Sequence, residues 1–258
     1  MAKQTQPVGN KRVLAVFGHP DDAEQFCGGT LALLAKEGFK VTILALTSGE
    51  CGSQQLPAEE IVAIRAKEAE EAAKKIGAKY RCLGIRDGCV SYNLGTAQKI
   101  VAVIREIDPL IILTHPTADY MTDHAHAGQL VLWAVPESRH SNFPAPIKAP
   151  ALEAQPFVYH TDPQGLIGPD GQIVRVNTIV NISSVIEQKL EAFSAHESQM
   201  SFLEKKGKGA VEKTRRWAII RGQQVRIEYG EGLCQQLLEE YPRRNILAEI
   251  LGEKVFTL

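Results

Sequence analysis

His19, Asp21 and Asp22 stand where an apolar run, Val13 to Phe17, gives way to Gly18-His19-Pro20-Asp21-Asp22. The run is aliphatic and rich in β-branched residues, and the segment after it is turn chemistry, so the three polar side chains fall on a strand-to-helix turn. His19 and Asp22 are three residues apart, a spacing at which one imidazole and one carboxylate converge on a single ion. Asp21 between them need not ligate and is left for another task. Farther along, Asp119-Tyr120-Met121-Thr122-Asp123-His124-Ala125-His126 offers a remote histidine to complete a three-ligand site, with Asp123 placed to cap a helix running to Ala134. Two histidines and one carboxylate with an open fourth position form the pattern of a catalytic zinc ion, on which water reaches a pKa of about 7. His124 and His126 diverge on a helix, so only one of them joins the site.

Such loops need a scaffold that brings them together. After the first strand, a helix continues to Gly38; VTILALTSGE (Val41 to Glu50) is a second apolar strand, and a long helix spans about Pro57 to Ile76. Arg81 to Leu83 reads as a short strand, Ala97 to Ile107 as a helix and Leu110 to Thr114 as another buried strand. Continuous apolar strands between amphipathic helices predict a Rossmann-like, three-layer α/β/α fold with a mostly parallel sheet. Six prolines between Pro136 and Pro163 mark residues 136–172 as an irregular, cleft-lining segment. From about Val174 the chain resumes as a C-terminal elaboration: VRVNTIVNI as a strand, a helix from Ser183 or Ser184 to about Leu203, the runs RWAII and QVRIEYG, and a last helix near Ile246. The basic run from Lys205 to Arg216 reads as a solvated, mobile loop. No boundary divides the chain, so residues 1–258 form one domain with a flexible start over 1–11.

In such a sheet, ligands bind beyond the carboxyl ends of the strands, where the histidine-bearing loops lie. A dinucleotide would need glycines and free amides after the first strand; Asp21, Asp22 and Glu24 stand there instead and repel phosphate. Lys plus Arg number 29 against 30 Asp plus Glu, which gives no electrostatic footprint for nucleic acid or an anionic membrane. No apolar run is long enough to span a bilayer, and five cysteines with no CxxC pair suit a reducing compartment, so a cytoplasmic protein is expected.

The segments VLAVFGHPDDAE, LTSGE, LGIRDG, the DYMTDH run and KLEAFSAHESQM, in that order over residues 13 to 200, resemble the zinc-dependent GlcNAc de-N-acetylases, the PIG-L or LmbE-like family. The resemblance implies zinc held by His19, Asp22 and His124, with Asp21 as general base toward water attacking an N-acetyl (N-acyl) amide of an amino sugar or a small glycoside of one. It also implies Arg65, Asp87 and, more weakly, Glu50 as partners of sugar hydroxyls, and a homotrimer or homohexamer. The chain departs from the pattern at Met121, where many members carry a histidine able to donate a proton. His196, in an AH-x-SQ segment that can approach the metal from its own or a neighbouring subunit, is the substitute acid that the resemblance offers.

Plainer readings stand beside these. His115 can substitute as a ligand, and His126 reads as a surface histidine. Arg65 also suits a solvated helix face, Asp87 a turn, and His196 a buried structural role bonded to its neighbours. Two other functions fit the same scaffold: a metal-dependent hydratase or lyase acting on an unsaturated acid, and a non-catalytic metal- or sugar-binding module.

Overall fold

A computed structural model describes residues 10–205 and 209–258. The alternation expected from the sequence is present: β1 (Arg12–Phe17), α1 (Asp22–Lys36), β2 (Lys40–Thr47), α2 (Ala58–Lys75), β3 (Ala78–Ile85), α3 (Leu94–Ile107), β4 (Ile111–Thr114) and α4 (Thr122–Glu137). Then come β5 (Phe157–Thr161), β6 (Thr178–Asn181), α5 (Ile186–Ser194), α6 (Glu197–Lys205), α7 (Ala210–Gln224), β7 (Gly230–Gln235), α8 (Ile246–Leu251) and β8 (Val255–Thr257).

The strands join one sheet in the order β3-β2-β1-β4-β5-β7-β6-β8. The first five are parallel, and β7, β6 and β8 extend the sheet through antiparallel pairs. Side chains alternate along β1: Val13, Ala15 and Phe17 enter a core with α1, α5 and α8, whereas Leu14 and Val16 enter a second core with α3 and α4. Two apolar faces on one sheet give the three layers. Strand order reverses between β1 and β4, so the loops after these strands flank the crevice where ligands bind in such sheets. The loop after β1 carries His19, and the loop after β4 leads into the first turn of α4, which carries His124.

Several expectations are corrected. The segment 136–172 is not irregular throughout: Pro136 lies in the last turn of α4, and Phe157–Thr161 is a wholly buried strand paired with β4. Its β-favouring residues find a parallel edge despite the flanking prolines. The helix expected from Ser184 to Leu203 breaks at Ala195 and His196, because the start of α6 is held by another element: Ser198 donates its N–H and its hydroxyl to Glu68 on α2, both at 2.7 Å. RWAII and residues 210–216 of the basic run belong to α7, and QVRIEYG forms the turn leading into β7; residues 206–208 lie outside the described residues. So do residues 1–9 of the expected flexible start, while Asn10 donates to the Asp108 carbonyl at 2.9 Å.

Candidate metal centre

The turn after β1 folds back on itself: the His19 amide donates to Asp22 Oδ2 at 2.7 Å, which fixes that carboxylate toward the imidazole. Asp21 occupies the N-cap position of α1 but makes no capping hydrogen bond. Its Oδ1 instead accepts from Arg65 Nη2 at 2.8 Å. From the other side of the crevice, α4 approaches closely because Gly128 has no side chain; a Cβ there would lie 2.5 Å from the His115 carbonyl oxygen. That approach delivers His124.

Three side chains converge, Asp22 through both of its carboxylate oxygens. His19 Nδ1 is 3.2 Å from Asp22 Oδ2 and 3.2 Å from His124 Nε2, and His124 Nε2 is 3.3 Å from Asp22 Oδ1. A tetrahedral ion with bonds of about 2.0–2.1 Å separates its ligand atoms by about 3.3 Å, so the trio fits zinc. The opposite ring nitrogens face carboxylates, as ligating histidines require. His19 Nε2 lies 3.2 Å from Asp87 Oδ1 and 3.4 Å from Asp123 Oδ2, and His124 Nδ1 lies 3.4 Å from Asp119 Oδ1. Burial opposes charge on both rings, yet Asp22 above all, aided by the outer carboxylates, holds His19 well above the usual imidazole value and His124 up at about 9. A field that retains protons on these rings also favours a divalent cation, whose uptake releases them.

His19, Asp87 and Asp123 form a second grouping of ligand-type atoms. Its carboxylates are already engaged by backbone: Asp123 accepts from Gly88 N at 2.7 Å and Val90 N at 3.1 Å, and Asp87 from Cys51 N at 3.2 Å. They serve better as acceptors for His19 Nε2–H than as ligands.

The remaining expected residues are placed as follows. Arg65 is buried, not on a solvated face; besides Asp21 it reaches the Gly49 carbonyl at 3.0 Å. Gly49 makes room for it, having φ +72° and a position where a Cβ would meet the guanidinium at 2.4 Å. Asp87 is brought to the centre as a neighbour of His19. Glu50 is largely buried, its Oε1 3.7 Å from the exposed Arg86 at Nε. His196 is fully buried, 3.6 Å from Glu24, and is not part of the ligand trio. His126 faces away, with Nδ1 2.6 Å from the Val90 carbonyl. His115 lies beneath the trio: burial first, then the neighbouring His124, lowers its pKa to about 4, its ring stacks on His124 at 3.8 Å, and its Nε2 is 3.0 Å from Asp22 Oδ2. Asp119 and Asp123 were missed as orienting groups. Asp123 is not the N-cap of α4, a position held by Met121, and the available signal was two carboxylates within five residues of a ligand-type histidine.

The model for the PIG-L family, described as GlcNAc-PI de-N-acetylase, matches residues 14–135. A diacetylchitobiose deacetylase of Thermococcus kodakarensis is 32% identical over 200 residues, which cover 73% of this chain and 70% of that protein. The chain belongs to the PIG-L family. Among solved structures, the N,N'-diacetylchitobiose deacetylase of Pyrococcus horikoshii superposes with a TM-score of 0.76 at 27% identity, over 88% of this chain and 84% of that one. The 4-carboxy-2-hydroxymuconate hydratase of Pseudomonas putida KT2440 gives a TM-score of 0.77 at 25% identity over 91% of this chain and 98% of that one. No described helix is long and apolar enough to cross a membrane.

Proposed function

We propose that the protein is a zinc-dependent hydrolase that removes an N-acetyl group from an amino sugar or a small amino-sugar glycoside. The observation that carries this reading is the convergence of His19, Asp22 and His124 at the spacing of a tetrahedral ion, beside a carboxylate, Asp21, that does not ligate. The zinc held by the trio supplies a Lewis acid for the amide carbonyl and a charge that acidifies water. Asp21, steadied by Arg65, takes a proton from the attacking water. With Met121 unable to donate, the same Asp21 proton passes to the departing nitrogen and the second proton of the water follows, so that amide and water become acetate and the protonated amine. Glu50 and Asp87 accept hydrogen bonds from sugar hydroxyls, and Arg65 acts through Asp21. Five free cysteines suit the cytoplasm. A homotrimer or homohexamer is the expected assembly and is measured by light scattering.

The test is release of free acetate from N-acetylglucosamine and N,N'-diacetylchitobiose by the zinc-loaded protein, slowed by about 10² to 10⁴ in Asp21→Asn. A second reading, hydration of an unsaturated acid, is favoured by Met121 and by the hydratase that superposes over nearly its whole length. Hydration needs no protonated leaving amine. Loss of a conjugated dicarboxylate's ultraviolet absorbance without acetate release from either sugar would select it.

A further inference from the structure

Next to the Asp21–Arg65 pair lies a set of charged groups that the proposed reaction does not use. Glu24, on α1, and His196, at the break between α5 and α6, are both fully buried. His196 Nε2 stands 3.6 Å from Glu24 Oε2, beyond a direct hydrogen bond. Neither oxygen of Glu24, neither nitrogen of His196, nor Arg65 Nε finds a hydrogen-bond partner among the described residues. These groups are neighbours: a Cβ on Gly52 would lie 2.7 Å from Arg65 Nη1 and 2.6 Å from Gln199 Nε2, and the Gln199 backbone amide donates to the His196 carbonyl at 2.9 Å. A buried carboxylate without donors is strongly unfavourable, whereas Arg65 Nε–H and a His196 N–H are donors without acceptors. One water that accepts from both and donates to Glu24 closes the set, with the two to four polar partners an internal water requires.

We infer that Glu24, His196 and Arg65 Nε enclose an internal water site, and that His196 is a positioning residue: through Glu24 and this water it steadies the guanidinium that holds Asp21. His196, with no exposed surface, does not touch substrate. The kinetic part of the inference rests on Asp21 acting as the base; the water site does not.

The first test is a crystal structure of the zinc-loaded protein at a resolution that orders internal water. A water within hydrogen-bonding distance of Glu24, His196 and Arg65 Nε is expected, and a dry site overturns the inference whichever substrate the protein uses. The second is a double-mutant cycle on whichever reaction, acetate release or hydration, is turned over. His196→Ala is expected to lower kcat about tenfold with KM and zinc content unchanged, to have little further effect in an Arg65→Ala background, and to be partly rescued by His196→Gln, which restores an N–H. Multiplicative effects of the two alanine changes, or a change in KM alone, overturn the positioning role. If His196→Ala does not fold, His196→Gln against Arg65→Ala supplies the cycle.

Discussion

Two buried polar clusters lie along α1, and they close their hydrogen bonds in opposite ways. Toward its middle, the helix loses helical geometry at Cys27 (φ −143°, ψ 19°). The amides of Gly29 and Thr30 donate to Glu231 of β7 at 2.9 and 2.7 Å, the Thr30 hydroxyl adds a third bond, and Lys189 Nζ supplies the countercharge at 2.6 Å. Every acceptor there has a donor from the chain itself. At the start of the same helix, His19, Asp22 and His124 instead aim ligand atoms at a common point, and their outer atoms are held by Asp87, Asp123 and Asp119. A cluster that satisfies itself ties elements together; a cluster whose inner atoms converge and whose outer atoms face carboxylates has the arrangement that could hold a metal ion.

The contrast predicts that damage at the first cluster appears as lost stability and damage at the second as lost zinc. The largest effect is expected for alanine at His19, Asp22 or His124: each variant should lose most bound zinc and its activity while remaining folded, as read by metal analysis and circular dichroism. Asp21→Asn should keep zinc and lower kcat by about 10² to 10⁴, the range for a positioned acid–base group, measured on the zinc-loaded enzyme. Glu231→Gln should do the reverse, leaving Lys189 without its countercharge; a loss of about 3–5 kcal/mol in denaturant unfolding is expected, with zinc affinity of the folded fraction unchanged. Asp119→Asn, which weakens the brace on His124, should reduce zinc affinity by roughly 10- to 100-fold in competition with a chelator. His126→Ala is the smallest change: loss of the bond to the Val90 carbonyl should lower stability by about 1 kcal/mol and leave zinc content as it was.

The turn that carries His19, Asp21 and Asp22 was legible because an apolar run ending in His-Pro-Asp-Asp fixes where these polar residues sit, and the structure brings His19 and Asp22 together with His124 as a group that could hold a metal ion. The parallel core was legible for a similar reason, since β1, β2 and β4 are buried on both faces and their sequences are continuously apolar. What sequence could not reveal depended on partners far along the chain. Asp123 near a helix start reads as a cap until β3's loop presents Gly88 and Val90 to it. Apolar periodicity runs smoothly through Ala195 and His196, yet Glu68, 130 residues away from Ser198, starts a new helix there. Arg65 sits in a helix laced with Glu and Lys, and only tertiary structure shows that its head turns inward to Asp21. His196 offered two readings from sequence, and its complete burial beside Glu24 is visible only in the folded chain.

Zinc-edge anomalous diffraction from crystals of the protein purified without chelator addresses the metal centre most directly. One peak is expected per chain, about 2.0–2.1 Å from His19 Nδ1, an Asp22 carboxylate oxygen and His124 Nε2. A peak on the opposite side of His19, between Asp87 and Asp123, or one bound by His115 or His126, or no peak after equilibration with zinc, would contradict the assignment of these three residues as the metal-binding centre.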